Sequence, residues 1–334
     1  MQNIAAPAGS HRHPEGHIGN TPLPLPLDRA LAHVDRVFGI DRILAQEGKD
    51  VVAPYYIQSE LGYRRVHSGA GCMHMALCAD GRFDRAGYLT QAEEVAHLIA
   101  ETGARRVLEL GSGMGFNSLH LAPQHPEAHF TGIDLLEHHV RKSARKAESM
   151  ANLAFRQGSF MDLPPDLNGM DLAFAVETLC HASDLDTVAR QIAQALAPGG
   201  RLLIYDGYRR PDFDTAPEAV RTAARLFEVT TAVSTGFRPI EDWCAALERA
   251  GLRVTETRDR TADTIACTRK LHRSALRFFT DWRYRLLRFV LPRHLVLNTV
   301  AGLMGPYMIE GATPGTGGMT GALLYGTITA ENPR

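Results

Sequence analysis

An α/β fold, in which helices cover both faces of a mostly parallel sheet, is predicted by two features of the sequence. First, between about residues 90 and 260, short apolar runs typical of buried strands alternate with helix-like patterns. Second, a glycine-rich loop follows the strand pattern from Arg106 to Leu110 and precedes a helical pattern that reaches about Leu121. Such alternation is typical of a parallel sheet, because each helix returns the chain to the edge where the next strand begins.

The other strands and helices follow in order along the chain. Further strands are predicted at His129 to Ile133, Leu153 to Arg156, Asp171 to Val176, Arg201 to Tyr205, Leu252 to Thr257 and Leu323 to Thr329. Helices are predicted at Gln91 to Thr102, Glu137 to Met150, Asp184 to Leu196, Pro217 to Val233 and Pro239 to Ala250. The long stretch between the last two strands needs structure of its own, and such a stretch often builds a substrate site.

The chain is divided into three segments by composition and pattern. These are residues 1–27, 28–89 and 90–334, the last with helical insertions at about 211–238 and 260–320. The first is rich in proline, glycine and histidine, which predicts a flexible N-terminal arm. The second is predicted to be a helical or lid segment, and the third is predicted to be the α/β core.

Within these segments, three stretches carry more specific predictions. A helix is predicted from Asp28 to about Gln46, and an irregular stretch from Val51 to Cys78. A late helix rich in arginine is predicted from His272 to Arg293.

Composition excludes several classes of function. The formal net charge of −1 provides no field that would attract nucleic acid, and 45% hydrophobic residues are typical of a soluble globular protein. The five cysteines show no metal-site spacing, which favours a reducing cytoplasm and predicts no structural metal. The N-terminus lacks the pattern of a secretory signal, and the apolar stretch from Leu287 to Ile309 is interrupted by Pro292, Arg293 and His294, so no membrane span is predicted.

The glycine loop indicates a nucleotide-like cofactor. Its glycines are Gly111, Gly113 and Gly115. The Gly-x-Gly-x-x-Gly motif of dinucleotide-binding proteins would instead require a glycine at the position of Phe116. Glu109 precedes the loop by two residues, and the next strand pattern is followed by Asp134. In this combination, the region from about residue 90 to 260 resembles the class I S-adenosylmethionine-dependent methyltransferases, which have a Rossmann-like fold with a seven-stranded, mostly parallel sheet.

The resemblance implies S-adenosylmethionine as the cofactor and a role for each matching residue. Glu109 would help to hold the methionine ammonium, and Asp134 would accept both ribose hydroxyls. At the adenine, Ser159 stands where the family commonly has an acid, Phe160 offers its amide and ring, and Asp162 either supplies the carboxylate or only caps a turn. The full set of expected cofactor residues is Glu109, Gly111, Ser112, Gly113, Gly115, Asn117, Asp134, Leu135, Ser159, Phe160, Asp162 and Val176.

A narrower resemblance is carried by the end of the fourth strand. The run Ala175-Val-Glu-Thr-Leu-Cys-His-Ala-Ser-Asp184 resembles the sterol side-chain and terpenoid C-methyltransferases, with matches at Glu177, Cys180, His181 and Ala182. The run from Tyr63 to Met75 also looks like that family's tyrosine–glycine–histidine region. The resemblance implies methylation of an alkene carbon through a carbocation.

That chemistry needs a stabiliser for the cation and a base for the proton it loses. Glu177 is the expected stabiliser or base, and Tyr56, Tyr63 and Tyr208 are expected aromatic walls. His74 or His181 is expected to relay a proton, and the alternative for His181 is that it caps backbone near the following helix.

The expected substrate is a small hydrophobic isoprenoid. A prenyl diphosphate, geranyl or farnesyl diphosphate, is favoured by arginines that could bind phosphate, with Mg²⁺ as a further cofactor in that case. Those arginines are Arg64, Arg65, Arg209, Arg210, Arg221, Arg225, Arg273, Arg277, Arg283, Arg285 and Arg288. The alternatives are a sterol C24-methyltransferase-like enzyme, an O- or N-methyltransferase of a small natural product, and a non-catalytic binding subunit. A homo-oligomer is compatible with the sequence.

Overall fold

The computed structural model describes residues 23, 25–49, 51–63, 67–68, 71–233, 235–283, 293–316 and 318–334. Within them, a seven-stranded sheet has the strand order β3-β2-β1-β4-β5-β7-β6. The strands are β1 Arg106–Leu110, β2 His129–Asp134, β3 Leu153–Gln157, β4 Met170–Val176, β5 Leu196–Arg209, β6 Arg253–Asp259 and β7 Leu323–Glu331. The predicted Rossmann-like α/β fold is confirmed.

Helices surround the sheet and extend beyond it. They are α1 Leu27–Phe38, α2 Ile40–Leu44, α3 Val52–Gly62, α4 Thr90–Thr102, α5 Phe116–Leu121, α6 Glu137–Ala147, α7 Leu185–Ala195, α8 Glu218–Thr230, α9 Ile240–Arg249, α10 Thr261–Thr280 and α11 Arg293–Glu310. None of the helices in the described part of the chain is long and apolar enough to cross a membrane. Residues 1–22 of the predicted arm lie outside the described part of the chain.

The first five strands are parallel, and β7 runs antiparallel to both of its neighbours, β5 and β6. Buried β-branched and aromatic side chains such as Val107 and Phe130 form the interior of the parallel part. Because all parallel strands end at the same edge, the residues that follow β1, β2 and β4 are brought together there. This edge positions the candidate site.

A layer of helices covers the same edge of the sheet. Apolar side chains of α1, α8, α10 and α11, including Val34, Leu226, Phe278 and Leu303, pack into one buried cluster. This cluster is built largely by the two predicted insertions, which therefore form a cap above the carboxyl ends of the strands.

Three details of the predicted elements are wrong. The helix predicted from Asp28 to Gln46 is broken at Gly39, whose φ of 75° is incompatible with continued helix. The stretch predicted to be irregular contains α3, Val52–Gly62. The late helix begins at Thr261, where Asp259 accepts the first backbone N–H, and ends at Thr280 rather than continuing to Arg293.

Candidate active site

The glycine loop between β1 and α5 has a backbone that favours glycine. Gly111, Gly113 and Gly115 have φ angles of 65°, 52° and 79°, in the left-handed region. A Cβ at Gly111 would lie 1.9 Å from Oγ1 of Thr178. A Cβ at Gly113 would lie 2.4 Å from Cε of Met73. The loop therefore presents bare backbone to the space above the sheet.

Glu109, two residues before the loop, is a buried carboxylate held by neutral donors. Its Oε1 accepts from Asn117 Nδ2 at 3.0 Å, and its Oε2 accepts from Ser118 Oγ at 2.5 Å. Burial raises the pKa of Glu109 to about 7, although hydrogen bonds from Ser118 and Asn117 act in the opposite direction. Since a cation would stabilise the ionised carboxylate, Glu109 is suited to hold an ammonium group.

Asp134, the last residue of β2, faces the glycine loop. Its Oδ2 accepts from the Gly113 N–H at 2.8 Å, and its Oδ1 accepts from the Leu136 N–H at 2.9 Å. His139 Nδ1 lies 3.2 Å from the same Oδ1. Because a carboxylate has about four acceptor sites, Asp134 can still accept from the hydroxyl groups of a sugar.

A cavity of about 460 Å³ lies above the loop and is large enough for a cofactor. Of the expected cofactor residues, those that line it are Glu109, Gly111, Ser112, Gly113, Asn117, Asp134, Leu135, Ser159, Phe160 and Val176. Buried polar atoms on its wall that have no hydrogen-bond partner among the described residues include Ser112 Oγ, Asn117 Oδ1 and His139 Nε2. Since buried polar groups are rarely left unpaired, this wall fits a ligand with several hydrogen-bonding groups.

Two expected cofactor residues do not line this cavity. Gly115 lies below the loop, where an added Cβ would be 2.5 Å from Cζ of Phe155, so its role is in packing. Asp162 is exposed, and its N–H donates to the carbonyl of Ser159 in a tight turn. Asp162 therefore lies in a turn away from the cofactor cavity, which disfavours the interpretation in which its carboxylate reaches the adenine.

Glu177, directly after β4, has a strained backbone and a tethered carboxylate. Its φ is 49°, and among the described residues only one other non-glycine residue, Ala232, has a positive φ. Its Oε1 accepts from the Met75 N–H at 2.7 Å. Burial, and to a smaller extent the neighbouring Asp206 carboxylate, raises the pKa of Glu177 to about 8.

A second, larger cavity of about 660 Å³ adjoins the first. Its walls are mostly apolar and come from α3, α8, α10, α11 and the ends of β5 and β7. The residues that line both cavities are Tyr56, Met73, Glu177, Cys180, His181 and Val233. The two cavities therefore meet at the carboxyl end of β4, beside Glu177.

A hydrogen-bonded pair, Tyr56 and His181, and a further carboxylate, Asp206, lie at or beside this junction. The hydroxyl of Tyr56 is 2.9 Å from His181 Nε2, and burial lowers the pKa of His181 to about 4, so its ring is neutral at physiological pH. Asp206 lines the second cavity and accepts the backbone N–H groups of Cys180 and Gly207, at 2.9 and 2.8 Å. Burial raises the pKa of Asp206 to about 6.

Comparison with known proteins agrees with this cofactor geometry. Residues 107–200 match the family model described as a methyltransferase domain. An O-methyltransferase of Aspergillus nomiae is 30% identical over 169 residues, which cover 50% of this chain and 72% of that protein. A sterol 24-C-methyltransferase of Gibberella zeae is 28% identical over 54% of this chain, and the match spans 47%, about half, of that enzyme.

The chain belongs to the class I S-adenosylmethionine-dependent methyltransferases.

Solved structures of low identity share its fold. The cyclase SpnF superimposes with a TM-score of 0.62 at 20% identity, covering 85% of this chain and 94% of that one. A geranyl diphosphate C-methyltransferase from Streptomyces coelicolor, solved with Mg²⁺, geranyl diphosphate and S-adenosyl-L-homocysteine, has a TM-score of 0.55 at 14% identity. That superposition covers 84% of this chain and 98% of the Streptomyces enzyme.

The methyltransferase brings several of its expected catalytic residues together. Glu177, His181 and Tyr63 all line the second cavity, where the Tyr63 ring stacks at 6.3 Å from that of Tyr56. Tyr208 does not line either cavity, and its expected role as an aromatic wall is wrong. It is fully buried in the sheet core together with Ile204, because both side chains lie on the same face of β5.

Several of the arginines expected to bind phosphate have other partners. Arg209 pairs with Glu228, Arg225 pairs with Glu47, and Arg221 donates to the carbonyl of Asp214. Among the described arginines, Arg277 is the one that lines the second cavity. Four expected residues, Arg64, Arg65, Arg285 and Arg288, lie outside the described part of the chain.

Asp206 and Tyr325 line the second cavity but are absent from the sequence-based site. Asp206 had a detectable signal, since it is an acid at the end of the apolar run from Leu202 to Tyr205. No local sequence pattern marks Tyr325, because its position in the site depends on the pairing of β7 with β5, where Tyr325 lies opposite Gly207. No group of three or more histidine, cysteine, aspartate or glutamate side chains suited to a metal occurs among the described residues.

Proposed function

We propose that this methyltransferase methylates an alkene carbon of an isoprenoid. The observation that carries the proposal is the junction of the two cavities, where a predominantly apolar chamber meets the cofactor cavity beside the Glu177 carboxylate. S-adenosylmethionine supplies an electrophilic methyl group when bound. An alkene is a nucleophile that needs no base to begin the reaction, and an apolar chamber suits a hydrocarbon.

The residues at the junction are suited to a carbocation. Attack of the π bond forms a carbon–carbon bond to the methyl group and leaves the neighbouring carbon positively charged. Glu177 and Asp206 provide two carboxylates there, and the rings of Tyr56 and Tyr63 provide aromatic faces. A C–H bond next to the cation then breaks, its electron pair forms the new alkene, and the proton passes to the ionised form of Glu177, which predominates above its pKa of about 8.

The charges of the chamber favour an isoprenoid without a diphosphate. A diphosphate needs several cations, whereas Arg277 is the one described arginine on this wall and two carboxylates lie at the junction. The sterol-like alternative is therefore the better match to the described residues. A prenyl diphosphate is the second candidate, and the shared fold of the Streptomyces enzyme is the observation that favours it.

The chamber is elongated along α10. Its wall includes Thr268, which follows the Cys267 that lies in the field of Glu177, and Arg277, nine residues later. At 1.5 Å per residue this separation is about 13 Å along the helix axis. An extended isoprenoid could place its alkene at Glu177 and a polar group near Arg277, Ser274 and Asn298.

Methylation of a hydroxyl or amine is the competing hypothesis from another reaction class. The neutral imidazole of His181 lies at the junction and could remove a proton from such a group. The identity to an O-methyltransferase of Aspergillus nomiae favours this alternative.

Mass spectrometry of reaction products tests the proposal. Purified enzyme with S-adenosylmethionine and Mg²⁺ is offered Δ24 sterols, geranyl diphosphate and farnesyl diphosphate in parallel. We expect a product one CH₂ heavier from a sterol-type alkene, and a loss of about a hundredfold or more in kcat for Glu177→Gln.

Glu256→Gln is the matched control, because Glu256 is an exposed carboxylate on β6 that lines neither cavity. A product from a diphosphate alone would overturn the substrate choice. Unchanged kcat in Glu177→Gln would contradict the role of the carboxylate.

A further inference from the structure

We propose that Tyr325 and Gln91 are positioning residues that orient the Glu177 carboxylate toward the junction of the two cavities. The inference rests on the role proposed above for Glu177. Neither residue lines the cofactor cavity, and both act on Glu177 through a ring of polar contacts that joins β4, β7, α4 and the loop after α3.

The ring has four members. Met75 donates its backbone N–H to Glu177 Oε1 at 2.7 Å and accepts from Gln91 Nε2 at its carbonyl, at 2.8 Å. The same Gln91 nitrogen lies 3.4 Å from the hydroxyl oxygen of Tyr325. The Tyr325 hydroxyl in turn lies beside the Glu177 carboxylate and lowers its pKa.

The direction of each hydrogen bond follows from chemistry. The Met75 carbonyl can only accept, so Gln91 must present its amide nitrogen there. The second hydrogen of that nitrogen points to the Tyr325 oxygen, which then acts as an acceptor. The Tyr325 hydrogen is therefore left to be donated to Glu177, and an ionised carboxylate can only accept it. The ring thus favours the ionised form of Glu177.

Burial of polar atoms and backbone strain make this arrangement unfavourable for the stability of the folded protein. Gln91 is fully buried, Tyr325 is 3% exposed, and Gln91 Oε1 has no partner among the described residues. Glu177 itself has a φ of 49°. Strain and buried polar atoms of this kind persist where the surroundings enforce them, and here they converge on one carboxylate.

The other titratable groups around Glu177 do not substitute for Tyr325. They are Tyr56 from α3, Tyr63 directly after α3, Cys72 from the following loop, Cys180 after β4, Asp206 from β5 and Cys267 from α10. Asp206 raises the pKa of Glu177, whereas the Met75 N–H and the Tyr325 hydroxyl lower it. Asp206, with its pKa of about 6, is the neighbour that titrates close to the same range.

The experiment measures the ionisation of Glu177 directly. Infrared spectra of the full-length protein are recorded across pH 5 to 10, and the protonated-carboxyl band lost in Glu177→Gln is assigned to this residue. Asp206→Asn assigns the neighbouring band. We expect Tyr325→Phe to raise the midpoint of the Glu177 titration by about one pH unit, and Gln91→Met to raise it by less.

Tyr205→Phe is the matched control. It also removes a tyrosine-to-carboxylate hydrogen bond on this sheet, but its partner is Glu94, and Tyr205 lines neither cavity. We expect this variant to leave the Glu177 midpoint unchanged. Equal midpoints in wild type, Tyr325→Phe and Gln91→Met would overturn the inference. Gln91→Met keeps the test decisive if Tyr325→Phe does not fold.

Activity separates the failure of this inference from the failure of the proposed function. The acidic limb of the kcat/KM profile should move upward with the infrared midpoint in Tyr325→Phe. A shifted midpoint without methylation of any alkene would leave the inference standing and contradict the proposed function. Methylation with an unshifted midpoint and an unshifted limb would contradict the inference alone.

Discussion

At the scale of single residues, the cofactor cavity contains a buried acid, Glu109, whose hydrogen-bond donors are all neutral. Glu109 is 3% exposed and accepts from the neutral side chains of Asn117 and Ser118. We propose that this acid faces the methionine ammonium, as the resemblance to the family implies. On this proposal, the raised pKa of about 7 describes a group that gains a favourable charge partner when the cofactor binds.

This state of Glu109 predicts a pH-dependent affinity for S-adenosylhomocysteine. Below a pKa of about 7 the free enzyme holds Glu109 protonated, so binding of an ammonium must first remove that proton. Affinity should rise with pH, by up to about tenfold per unit well below the pKa, and level off above it. Calorimetry between pH 6 and 8 measures this slope.

Glu109→Gln should remove the slope and weaken binding by about tenfold to a hundredfold, since a charge-assisted hydrogen bond is lost. Glu127→Gln is the control, because Glu127 is an exposed surface carboxylate paired with Arg105. If Glu109→Gln kept the wild-type slope, the ammonium role of Glu109 would be wrong.

At the scale of elements, the glycine loop is the part in which sequence and conformation are most tightly linked. Gly113 has a φ of 52°, and its N–H donates to Asp134. A side chain there would both favour another conformation and enter the space next to Met73.

Gly113→Ala should therefore weaken cofactor binding more than it destabilises the fold. We expect at least tenfold weaker binding of S-adenosylhomocysteine by calorimetry and a loss of about 1–2 kcal/mol in the free energy of unfolding. Gly199→Ala is the matched control, because its φ is 76° but an added Cβ meets nothing within 4 Å. This control should lose stability yet keep its affinity, and equal affinity losses would contradict the argument.

The same scale shows how far the sequence predicts the fold. The strands β1, β2 and β4 follow closely from apolar runs, because central strands are buried on both faces. The helix α3 does not, because Val52–Gly62 mixes tyrosines and polar residues without a clear apolar face. Its position depends on packing over the cavities, which a local pattern does not contain.

The candidate site divides in the same way. The expected cofactor residues follow the ends of parallel strands, which lie at one edge of the sheet. Their positions in the sequence therefore predict that they come together in space. The substrate chamber is built from α3, α8, α10, α11 and β7, which are far apart in sequence. Tyr208 and Tyr325 illustrate the consequence: alternation along β5 places Tyr208 in the core, while the register of β7 places Tyr325 at Glu177.

At the scale of the whole molecule, the sheet and the helical cap have separate tasks. The sheet presents the cofactor loop and Glu177 at one edge, and the cap borders an apolar chamber of about 660 Å³ beside them. In the proposed reaction, predominantly apolar walls would limit the access of water to the cation, which water would otherwise capture as an alcohol. This division of tasks is the physical basis for proposing carbon rather than oxygen or nitrogen as the methyl acceptor.

The most direct test of that claim is the position of the transferred methyl group. The enzyme is given S-adenosylmethionine labelled with ¹³C in the methyl group together with the substrate found in the product screen, and the product is examined by ¹³C NMR. The account predicts that the label is bonded to carbon, as a new C-methyl or exocyclic methylene group. A label bonded to oxygen or nitrogen would contradict it.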